Sequence, residues 1–297
     1  MDTTKVLILG GTGMLGHVLF TQLSQNPSLN VFSTVRSSSE GFSDNLPPKL
    51  VSKIRPYVDA NDFDTVTRAL AAIQPDIVIN CIGLVKQLPI AGDPLSAITV
   101  NSQMPHRVSL ICRAAKARLI HISTDCVFDG RKGNYTEQDL ANATDLYGRT
   151  KFLGEVSYPH CVTLRTSIIG HELRGKHGIV EWFLAQKGSI KGYTKAIFSG
   201  VTTLEMAKVI NDYVIPNQDL NGVYQVSTSP ISKFDLLKLL ASVYKRDIEI
   251  EPYDGYCIDR SLNSSLFNRK TGYMPPFWPE LIDNMYKDFI ASPLYRK

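Results

Sequence analysis

A short apolar run that leads directly into a glycine-spaced turn constrains the fold of this chain more than any other feature. The run is Lys5-Val6-Leu7-Ile8-Leu9, and Gly10-Gly11-Thr12-Gly13-Met14-Leu15-Gly16 follows it. Such a run is typical of a buried parallel strand, and residues 17–23 then place apolar side chains at helical spacing. The glycines at 10, 13 and 16 are therefore predicted to lie at a strand-to-helix turn.

Glycines at such a turn permit a tight bend, let a pyrophosphate approach the backbone and allow the helix to pack on its strand. The helix amino terminus adds unpaired N–H groups and the positive end of a dipole. A glycine-rich turn without a ligand is the alternative. Because the motif follows a predicted strand near the amino terminus, dinucleotide binding is favoured.

Predicted strands and helices alternate through the first half of the chain. Further strands are predicted at 31–35, 54–58, 77–79, 119–123 and 161–165, and helices from 62, over 97–117 and from about 145. Repeated β–α units predict an α/β fold with a Rossmann-type, doubly wound parallel sheet. Beyond about residue 170 the pattern is irregular. We expect a dinucleotide-binding domain at 1–170 and, at 171–297, a smaller substrate-binding lobe with segments that rejoin the sheet.

The composition narrows the function classes. With 43% hydrophobic and 20% charged residues, the chain of 297 residues is ordinary for a soluble enzyme. A net charge of +4 from scattered basic residues argues against nucleic-acid binding, although a mildly positive cleft would suit a phosphorylated substrate. Five cysteines without C-x-x-C spacing indicate reduced thiols and a cytoplasmic location. Neither a signal peptide nor membrane insertion is expected.

Three residues point to proton transfer. Tyr147 and Lys151 are four apart and would share one helix face, and Thr124 ends a predicted strand. A phenol with a pKa of about 10 is a poor acid or base at neutral pH, and a nearby ammonium stabilises its phenolate. A threonine hydroxyl could hold the phenol and a substrate carbonyl together. A Tyr-x-x-x-Lys pair also occurs on surface helices, and a lone threonine can cap a turn.

Taken together, these motifs resemble the extended short-chain dehydrogenase/reductase family and, more narrowly, its dTDP-4-dehydrorhamnose reductase branch. The resemblance covers most of the chain. Its blocks are the glycine motif, Asp76-Ile77-Val78-Ile79-Asn80, Val100-Asn101, Ser123-Thr124-Asp125-Cys126-Val127-Phe128-Asp129-Gly130, Tyr147-Gly148-Arg149-Thr150-Lys151 and Leu164-Arg165-Thr166-Ser167.

The resemblance implies an NADP(H)-dependent reductase of a nucleotide-activated 4-keto-6-deoxy sugar, in dTDP-rhamnose and polysaccharide synthesis. Tyr147 would protonate the keto oxygen as hydride arrives from the nicotinamide. Lys151 would hold the nicotinamide ribose and lower the pKa of the phenol, and Thr124 would hydrogen-bond the carbonyl oxygen. Two alternatives stay open: a reductase or epimerase of a UDP-linked N-acetylated 6-deoxy sugar, and a non-catalytic NADP-binding regulatory subunit. A homodimer is also left open.

The implied cofactor contacts include the glycine turn and residues after the next strands. The second strand ends without a carboxylate, so Arg36 and Ser37 favour a 2′-phosphate and hence NADP(H) over NAD(H). A solvated loop cation is the alternative for Arg36, and a solvated loop aspartate is the alternative to an adenine contact for Asp59. The full set is Gly10, Thr12, Gly13, Met14, Leu15, Gly16, Arg36, Ser37, Asp59, Ala60, Cys81, Tyr147 and Lys151.

The resemblance also implies a set of substrate contacts. They are Lys86, Thr124, Asp125, Ser167 and Arg260. Asp125 could equally cap a turn, and Lys86 and Gln87 could equally be plain loop residues beyond the fourth strand.

Several positions differ from the branch or have a second interpretation. Cys126 stands where the branch has tyrosine, Ile168 stands where it has tryptophan, and the segment after Arg260 lacks the expected proline. Asn101 is expected to shape a helix kink and a proton relay, or to be a satisfied polar core residue. Thr202 and Thr203 are consistent with a loop that closes over the nucleotide. Because His171, His177 and Glu181 form no compact ligand motif, no metal site is expected.

Overall fold

The predicted strand, glycine turn and helix open the structure, a computed structural model that describes residues 3–40, 42–86 and 89–295. Strand β1 (Thr4–Leu9) is followed by helix α1 (Gly16–Leu23). The side chains of Val6, Leu7, Ile8 and Leu9 are completely buried, and burial of each contributes about 1.5–3 kcal/mol. The apolar run therefore forms the centre of the sheet.

A seven-stranded parallel sheet takes six strands from residues 4–166, as the repeated β–α units predict, and a seventh from residues 222–225. Its strands run in the order β11-β6-β5-β4-β1-β2-β3. The remaining strands of the sheet are β2 (Leu29–Thr34), β3 (Ile54–Arg55), β4 (Ile77–Asn80), β5 (Arg118–Thr124), β6 (Cys161–Thr166) and β11 (Gly222–Gln225). The helices between them are α2 (Pro48–Val51), α3 (Phe63–Ile73), α4 (Pro94–Ala97), α5 (Met104–Ala114) and α6 (Leu146–Leu153).

The rest of the chain forms short strands and helices, some of which surround a separate apolar cluster, while residues 203–209 and 265–271 pack in the core of the sheet. The short strands are β7 (Ile168–Ile169), β8 (Ser189–Tyr193), β9 (Ala196–Phe198), β10 (Val201–Thr202), β12 (Ile231–Ser232), β13 (Glu249–Tyr253) and β14 (Ile258–Asp259). The helices are α7 (Ile179–Leu184), α8 (Thr203–Val209), α9 (Lys233–Val243), α10 (Ser265–Thr271) and α11 (Trp278–Ala291). Phe183, Leu236 and Ile282 lie in the apolar cluster. The boundary at residue 170 stays a prediction.

The bounds predicted for two elements were wrong. The third strand ends at Arg55 rather than at residue 58, because Tyr57 has a φ of 60° and cannot continue an extended strand. The long helix predicted at 97–117 starts at Pro94, after Asp93 caps it, and contains a π-helical segment at Ile98–Gln103. Its α-helical part ends at Ala114, and Lys116 then has a φ of 56°. In the described part of the chain, no helix is long and apolar enough to cross a membrane.

Candidate active site

Backbone geometry makes a cradle of residues 10–16, which we call the dinucleotide cradle. Gly10 has a φ of 90°, which favours glycine. A methyl group on Gly16 would lie 2.1 Å from the Gly10 carbonyl oxygen, and one on Gly11 would lie 1.9 Å from Ser33 Oγ. No side chain caps the start of α1. The close packing below and the uncapped N–H groups fit a pyrophosphate.

The other predicted cradle residues line the same turn. Thr12 and Gly13 are exposed, Met14 is half-buried and Leu15 is buried. Gly10 also packs against the end of β4, since a methyl group there would lie 3.4 Å from the Cys81 carbonyl carbon. The dinucleotide cradle therefore borders the segment that leads to Lys86.

The four residues predicted to contact the adenosine end of a dinucleotide follow β2 and β3. Arg36 and Ser37 are exposed. Arg36 forms no salt bridge among the described residues. Asp59 Oδ1 accepts hydrogen bonds from the backbone N–H (2.9 Å) and side-chain amide (3.1 Å) of Asn61, so it closes a turn, and Ala60 is buried. The cofactor role of these four residues stays a prediction.

Thr124, Tyr147 and Lys151 meet at the carboxyl edge of the sheet. Thr124 is the last residue of β5, and Asp145 starts α6 by accepting a hydrogen bond from the Gly148 N–H at 2.8 Å. A methyl group on Gly148 would lie 2.2 Å from the Cys126 carbonyl oxygen, so α6 approaches the turn after Thr124 closely. The structure thus brings together the three residues that the sequence singles out.

Burial controls the acid–base character of this group. Burial raises the pKa of the Tyr147 phenol above its ordinary value; nearby Cys126 and Asp125 add to the rise, and Thr124 opposes it. Burial lowers the pKa of Lys151 to about 8, against the opposing effect of Glu155 and Cys81. Lys151 Nζ donates to the Ile122 carbonyl oxygen at 2.8 Å. The phenol therefore stays protonated, whereas the sequence led us to expect a lowered pKa.

A buried ion pair lies behind Lys151, and the sequence analysis missed it. Glu155 accepts two hydrogen bonds from Arg165, at 2.8 and 2.7 Å, and one from the Ser123 hydroxyl at 2.7 Å. Both side chains of the pair are at most 6% exposed. The carboxylate of Glu155, which lies just beyond the end of α6, favours the lysine ammonium. The sequence held no signal for the pair, because only the fold brings Glu155 and Arg165 together.

Three cations surround Asp125 and Cys126, and we call Lys86, Lys233 and Arg260 the cationic rim. Arg260 donates from Nε to the Phe128 carbonyl oxygen at 2.9 Å and from Nη1 to Cys126 Sγ at 3.7 Å. Burial raises the pKa of Asp125, while Arg260 and Lys86 act to lower it. Burial lowers the pKa of Lys233, and Lys86 lowers it further, against Asp125.

The cationic rim carries more positive charge than Asp125 can balance. None of its members forms a salt bridge within the described ranges. Lys233, the first residue of α9, was missed because nothing in the sequence links it to Lys86 or Arg260. Gln87, which was paired with Lys86 in the prediction, lies outside the described residues. An excess of positive charge at a cleft favours an anionic ligand.

Asp125 and Cys126 also take part in local contacts. Thr124 Oγ1 donates to Asp125 Oδ1 at 3.1 Å and accepts from the Cys126 N–H at 3.1 Å. Burial raises the pKa of the Cys126 thiol to about 11, and burial raises that of the Cys81 thiol to about 12. Both cysteines are therefore neutral thiols.

Asn101 lies within the π-helical segment and fixes the loop after β4. Its Oδ1 accepts from the Leu84 N–H at 2.8 Å, and its Nδ2 donates to the Leu84 carbonyl oxygen at 3.1 Å and to Thr150 Oγ1 at 3.3 Å. A methyl group on Gly154 would lie 1.9 Å from the Asn101 carbonyl oxygen. Asn101 is thus a satisfied buried residue at a helix irregularity, and it holds the loop that carries Lys86.

The remaining predicted residues lie just after β6 and in the paired short strands β7 and β10. Ser167 is half-buried, and its carbonyl oxygen accepts from the Val201 N–H at 2.9 Å. Ile168 begins β7, which pairs with β10. Thr202 caps α8 by accepting from the Glu205 N–H at 3.2 Å.

The histidines that the sequence analysis considered as metal ligands have other contacts. His171 Nδ1 lies 2.6 Å from Glu181 Oε1. The backbone N–H of His177 donates to Glu172 at 2.8 Å. Among the described residues, no group of three or more His, Cys, Asp or Glu side chains could hold a metal ion.

Comparison with known proteins identifies a matching family and several relatives. The model of the RmlD substrate binding domain matches residues 4–249. Methionine adenosyltransferase 2 subunit beta from Bos taurus is 29% identical over 151 residues, which are 51% of this chain and 41% of the relative. A dTDP-4-dehydrorhamnose reductase from Mycolicibacterium smegmatis is 30% identical over 169 residues, 55% of this chain and 45% of the relative. The alignments therefore span less than half the length of these curated relatives.

The fold has close counterparts among solved structures. A dTDP-4-dehydrorhamnose reductase from Bacillus anthracis, solved in complex with NADP, superposes with a TM-score of 0.77 at 21% identity. The match covers 96% of this chain and 99% of that one. At this identity the likeness shows the fold alone.

Proposed function

Because the chain belongs to the RmlD substrate binding domain family, we propose that it is an NADP(H)-dependent reductase of a nucleotide-activated 4-keto-6-deoxy sugar. One observation carries the proposal: Thr124, Tyr147 and Lys151 converge beside the dinucleotide cradle. Cys81 connects the cradle to these three residues, since Gly10 packs against Cys81 and the charge of Lys151 acts on the Cys81 thiol. The family resemblance drawn from the motifs is confirmed by the family match.

The protein's own residues supply the proton and the electrostatics of the reduction. A nicotinamide bound at the cradle would supply hydride to the keto carbon. Tyr147, whose raised pKa keeps it protonated, donates its proton to the keto oxygen, and Thr124 donates a hydrogen bond to the same oxygen. Lys151 holds the nicotinamide ribose and stabilises the phenolate that remains after proton transfer.

The cationic rim supports a diphosphate-bearing substrate. Lys86, Lys233 and Arg260 lie near Asp125, next to Thr124, where a diphosphate linked to the sugar would bring two negative charges. The relative from Mycolicibacterium smegmatis and the structural neighbour from Bacillus anthracis are both named dTDP-4-dehydrorhamnose reductases, and the latter holds NADP. We extend that substrate class and that cofactor to this chain as part of the proposal.

A panel assay tests this function. The full chain is given NADPH or NADH with dTDP-, UDP- and GDP-linked 4-keto sugars, and oxidation of the dinucleotide is followed. We expect turnover with NADPH and a dTDP-linked sugar. Turnover with a UDP-linked N-acetylated sugar alone would move the proposal to the alternative substrate, and no turnover with any member would reject the reductase assignment.

A second candidate is a non-catalytic regulatory subunit that binds NADP. The resemblance to methionine adenosyltransferase 2 subunit beta favours it, whereas the convergence of Thr124, Tyr147 and Lys151 favours catalysis. The chain can be added to a methionine adenosyltransferase catalytic subunit, and the rate of S-adenosylmethionine formation measured with and without it. A change in that rate that persists in Tyr147→Phe would support the regulatory role.

A further inference from the structure

His17, which directly follows the glycine motif, contacts the dinucleotide cradle through hydrogen bonds to Gly13. The Gly13 carbonyl oxygen accepts two hydrogen bonds, both from His17: one from its backbone N–H at 3.2 Å and one from ring Nδ1 at 2.8 Å. The C=O and N–H of a trans peptide point in opposite directions. A Gly13 carbonyl fixed toward the protein therefore directs the Met14 N–H outward, toward the predicted phosphate position.

The hydrogen bonds of His17 define its tautomer. Burial lowers the pKa of His17 to about 4, so the ring is neutral at physiological pH and carries one proton. A carbonyl oxygen can only accept, which places that proton on Nδ1. Nε2 is then an acceptor, and it lies 2.7 Å from the hydroxyl of Tyr295, which donates to it.

Tyr295 comes from the far end of the chain and is packed in place. It belongs to a 3₁₀ turn at Pro293–Tyr295 that follows α11. Its ring lies 5.6 Å from His17, edge to face, and 5.3 Å from both His171 and Phe289. His171 is in turn stacked on Phe289 at 3.9 Å and bonded to Glu181 and to Tyr244, so the hydroxyl of Tyr295 approaches His17 from an ordered cluster.

We propose that Tyr295 and His17 are positioning residues that set the orientation of the Gly13–Met14 peptide and so the affinity of the cradle for the pyrophosphate of a dinucleotide. This inference rests on the proposed function only for the identity of the ligand. Without the Tyr295 hydroxyl, the buried Nε2 has no donor. The Nδ1–H donor then loses the strengthening that a hydrogen bond to the opposite ring nitrogen provides, and the ring loses a contact that fixes its orientation. The Gly13–Met14 peptide is therefore held less firmly.

The binding test uses the full chain with Tyr295→Phe, and Tyr244→Phe as the matched control. Tyr244 donates or accepts at His171 in the same cluster at 2.7 Å but makes no hydrogen bond to His17. We expect the Kd of NADPH to rise about five- to tenfold in Tyr295→Phe, the loss of about one hydrogen bond, and to change less than twofold in Tyr244→Phe. The Kd of adenosine 2′-monophosphate, which lacks the pyrophosphate, should not change, and kcat at saturating NADPH should stay at the wild-type value.

A spectroscopic test is independent of any ligand. In the ¹⁵N-labelled chain, the two ring nitrogens of His17 should show the Nδ1–H tautomer in the wild type and in Tyr244→Phe. Tyr295→Phe should keep that tautomer and move the Nε2 signal toward the position of a ring nitrogen that accepts no hydrogen bond. His17→Asn, whose amide can replace the Nδ1 donor, should retain more NADPH affinity than His17→Leu.

The outcomes separate this inference from the proposed function. If the wild type binds NADPH and Tyr295→Phe binds it equally well, or weakens adenosine 2′-monophosphate to the same degree, the positioning role is wrong and the reductase proposal is untouched. An unchanged Nε2 signal in Tyr295→Phe overturns it as well. If the wild type binds neither NADPH nor NADH, both proposals fail. Normal NADPH binding with no sugar turnover rejects the reductase alone.

Discussion

The dinucleotide cradle and the cationic rim border the same three residues but are built in different ways. The cradle consists of seven consecutive residues whose positions are set by backbone geometry and by the absence of side chains at Gly10, Gly11 and Gly16. The rim consists of Lys86, Lys233 and Arg260, which three separate parts of the fold bring to Asp125. A contiguous motif tolerates little change, whereas a dispersed set of side chains can change one residue at a time. We therefore expect the cradle to set the cofactor chemistry and the rim to set the choice of substrate.

The largest expected effect lies where the two regions meet. Tyr147→Phe removes the proton donor but neither the cradle nor the rim, so we expect kcat to fall about 10²- to 10⁴-fold. The Kd values of NADPH and of the nucleotide sugar should stay within about threefold. Stopped-flow turnover and equilibrium binding measure the two effects separately.

Tyr158→Phe is the control for this substitution, because Tyr158 is exposed and lies 3.2 Å from His106, outside the site. It should retain wild-type kcat. Loss of NADPH binding in Tyr147→Phe would show that proton donation and cofactor binding are not separable. The proposed division between the cradle and the rim would then be wrong.

The next effect isolates the cradle. In Gly16→Ala the added methyl group would lie 2.1 Å from the Gly10 carbonyl oxygen, so the turn must shift. Overpacking of this kind costs about 1–3 kcal/mol, and we expect the Kd of NADPH to rise at least tenfold while binding of the nucleotide sugar changes little. Urea unfolding and isothermal titration measure both.

Gly92→Ala is the matched control, since a methyl group there would meet nothing within 4 Å and its backbone has no positive φ. It should bind NADPH like the wild type. Equal loss of affinity for dinucleotide and sugar in Gly16→Ala would contradict the separation between cradle and rim.

The third prediction isolates the rim. Lys233→Met keeps the length of the side chain and removes one of three cations, so we expect the KM for the nucleotide sugar to rise about tenfold at low salt with little change in kcat. Because Lys233 remains accessible to solvent despite its partial burial, added salt should shrink the difference between variant and wild type. Steady-state kinetics at two ionic strengths check this.

Lys238→Met is the control, because this lysine lies five residues further along α9, over the ring of Phe234. It should leave the KM unchanged. A KM that rises equally in both variants would mean that the general charge of α9, rather than the rim, attracts the substrate.

The sequence predicted the two regions unequally for the same physical reason. The strand, the turn and α1 were predictable because burial of β1 and close packing at Gly16 are local consequences of consecutive residues. Thr124, Tyr147 and Lys151 were predictable because a strand end and an i,i+4 pair are also local. Lys233 and Tyr295 were not, since only the folded chain brings them to Asp125 and His17. The raised pKa of Tyr147 was missed because sequence spacing does not show the burial that raises it.

A pH profile tests the residue shared by both regions. Burial lowers the pKa of Lys151 to about 8, so its ammonium is present below that pH and lost above it. If the ammonium stabilises the phenolate, kcat should fall about tenfold for each pH unit above about 8. Lys151→Arg keeps the charge at all these pH values, so its residual activity should lack this decline. If kcat declines at the same pH in the wild type and in Lys151→Arg, the decline belongs to another titrating group.

The smallest expected effect tests whether the cradle side depends on backbone alone. Arg36 is an exposed side chain beyond β2, and among the described residues it has no salt-bridge partner, so it can meet a 2′-phosphate. Arg36→Ala should weaken NADPH binding about three- to fivefold and leave NADH binding unchanged, since only NADPH carries that phosphate. Arg55→Ala, also near β2 but stacked at 5.4 Å from the Phe32 ring, is the control and should change neither. If Arg36→Ala weakens NADH as much as NADPH, Arg36 contributes only general charge. If it weakens NADPH binding alone, one exposed side chain determines the cofactor preference. The cofactor site, like the cationic rim, would then depend on a side chain and not on backbone geometry alone.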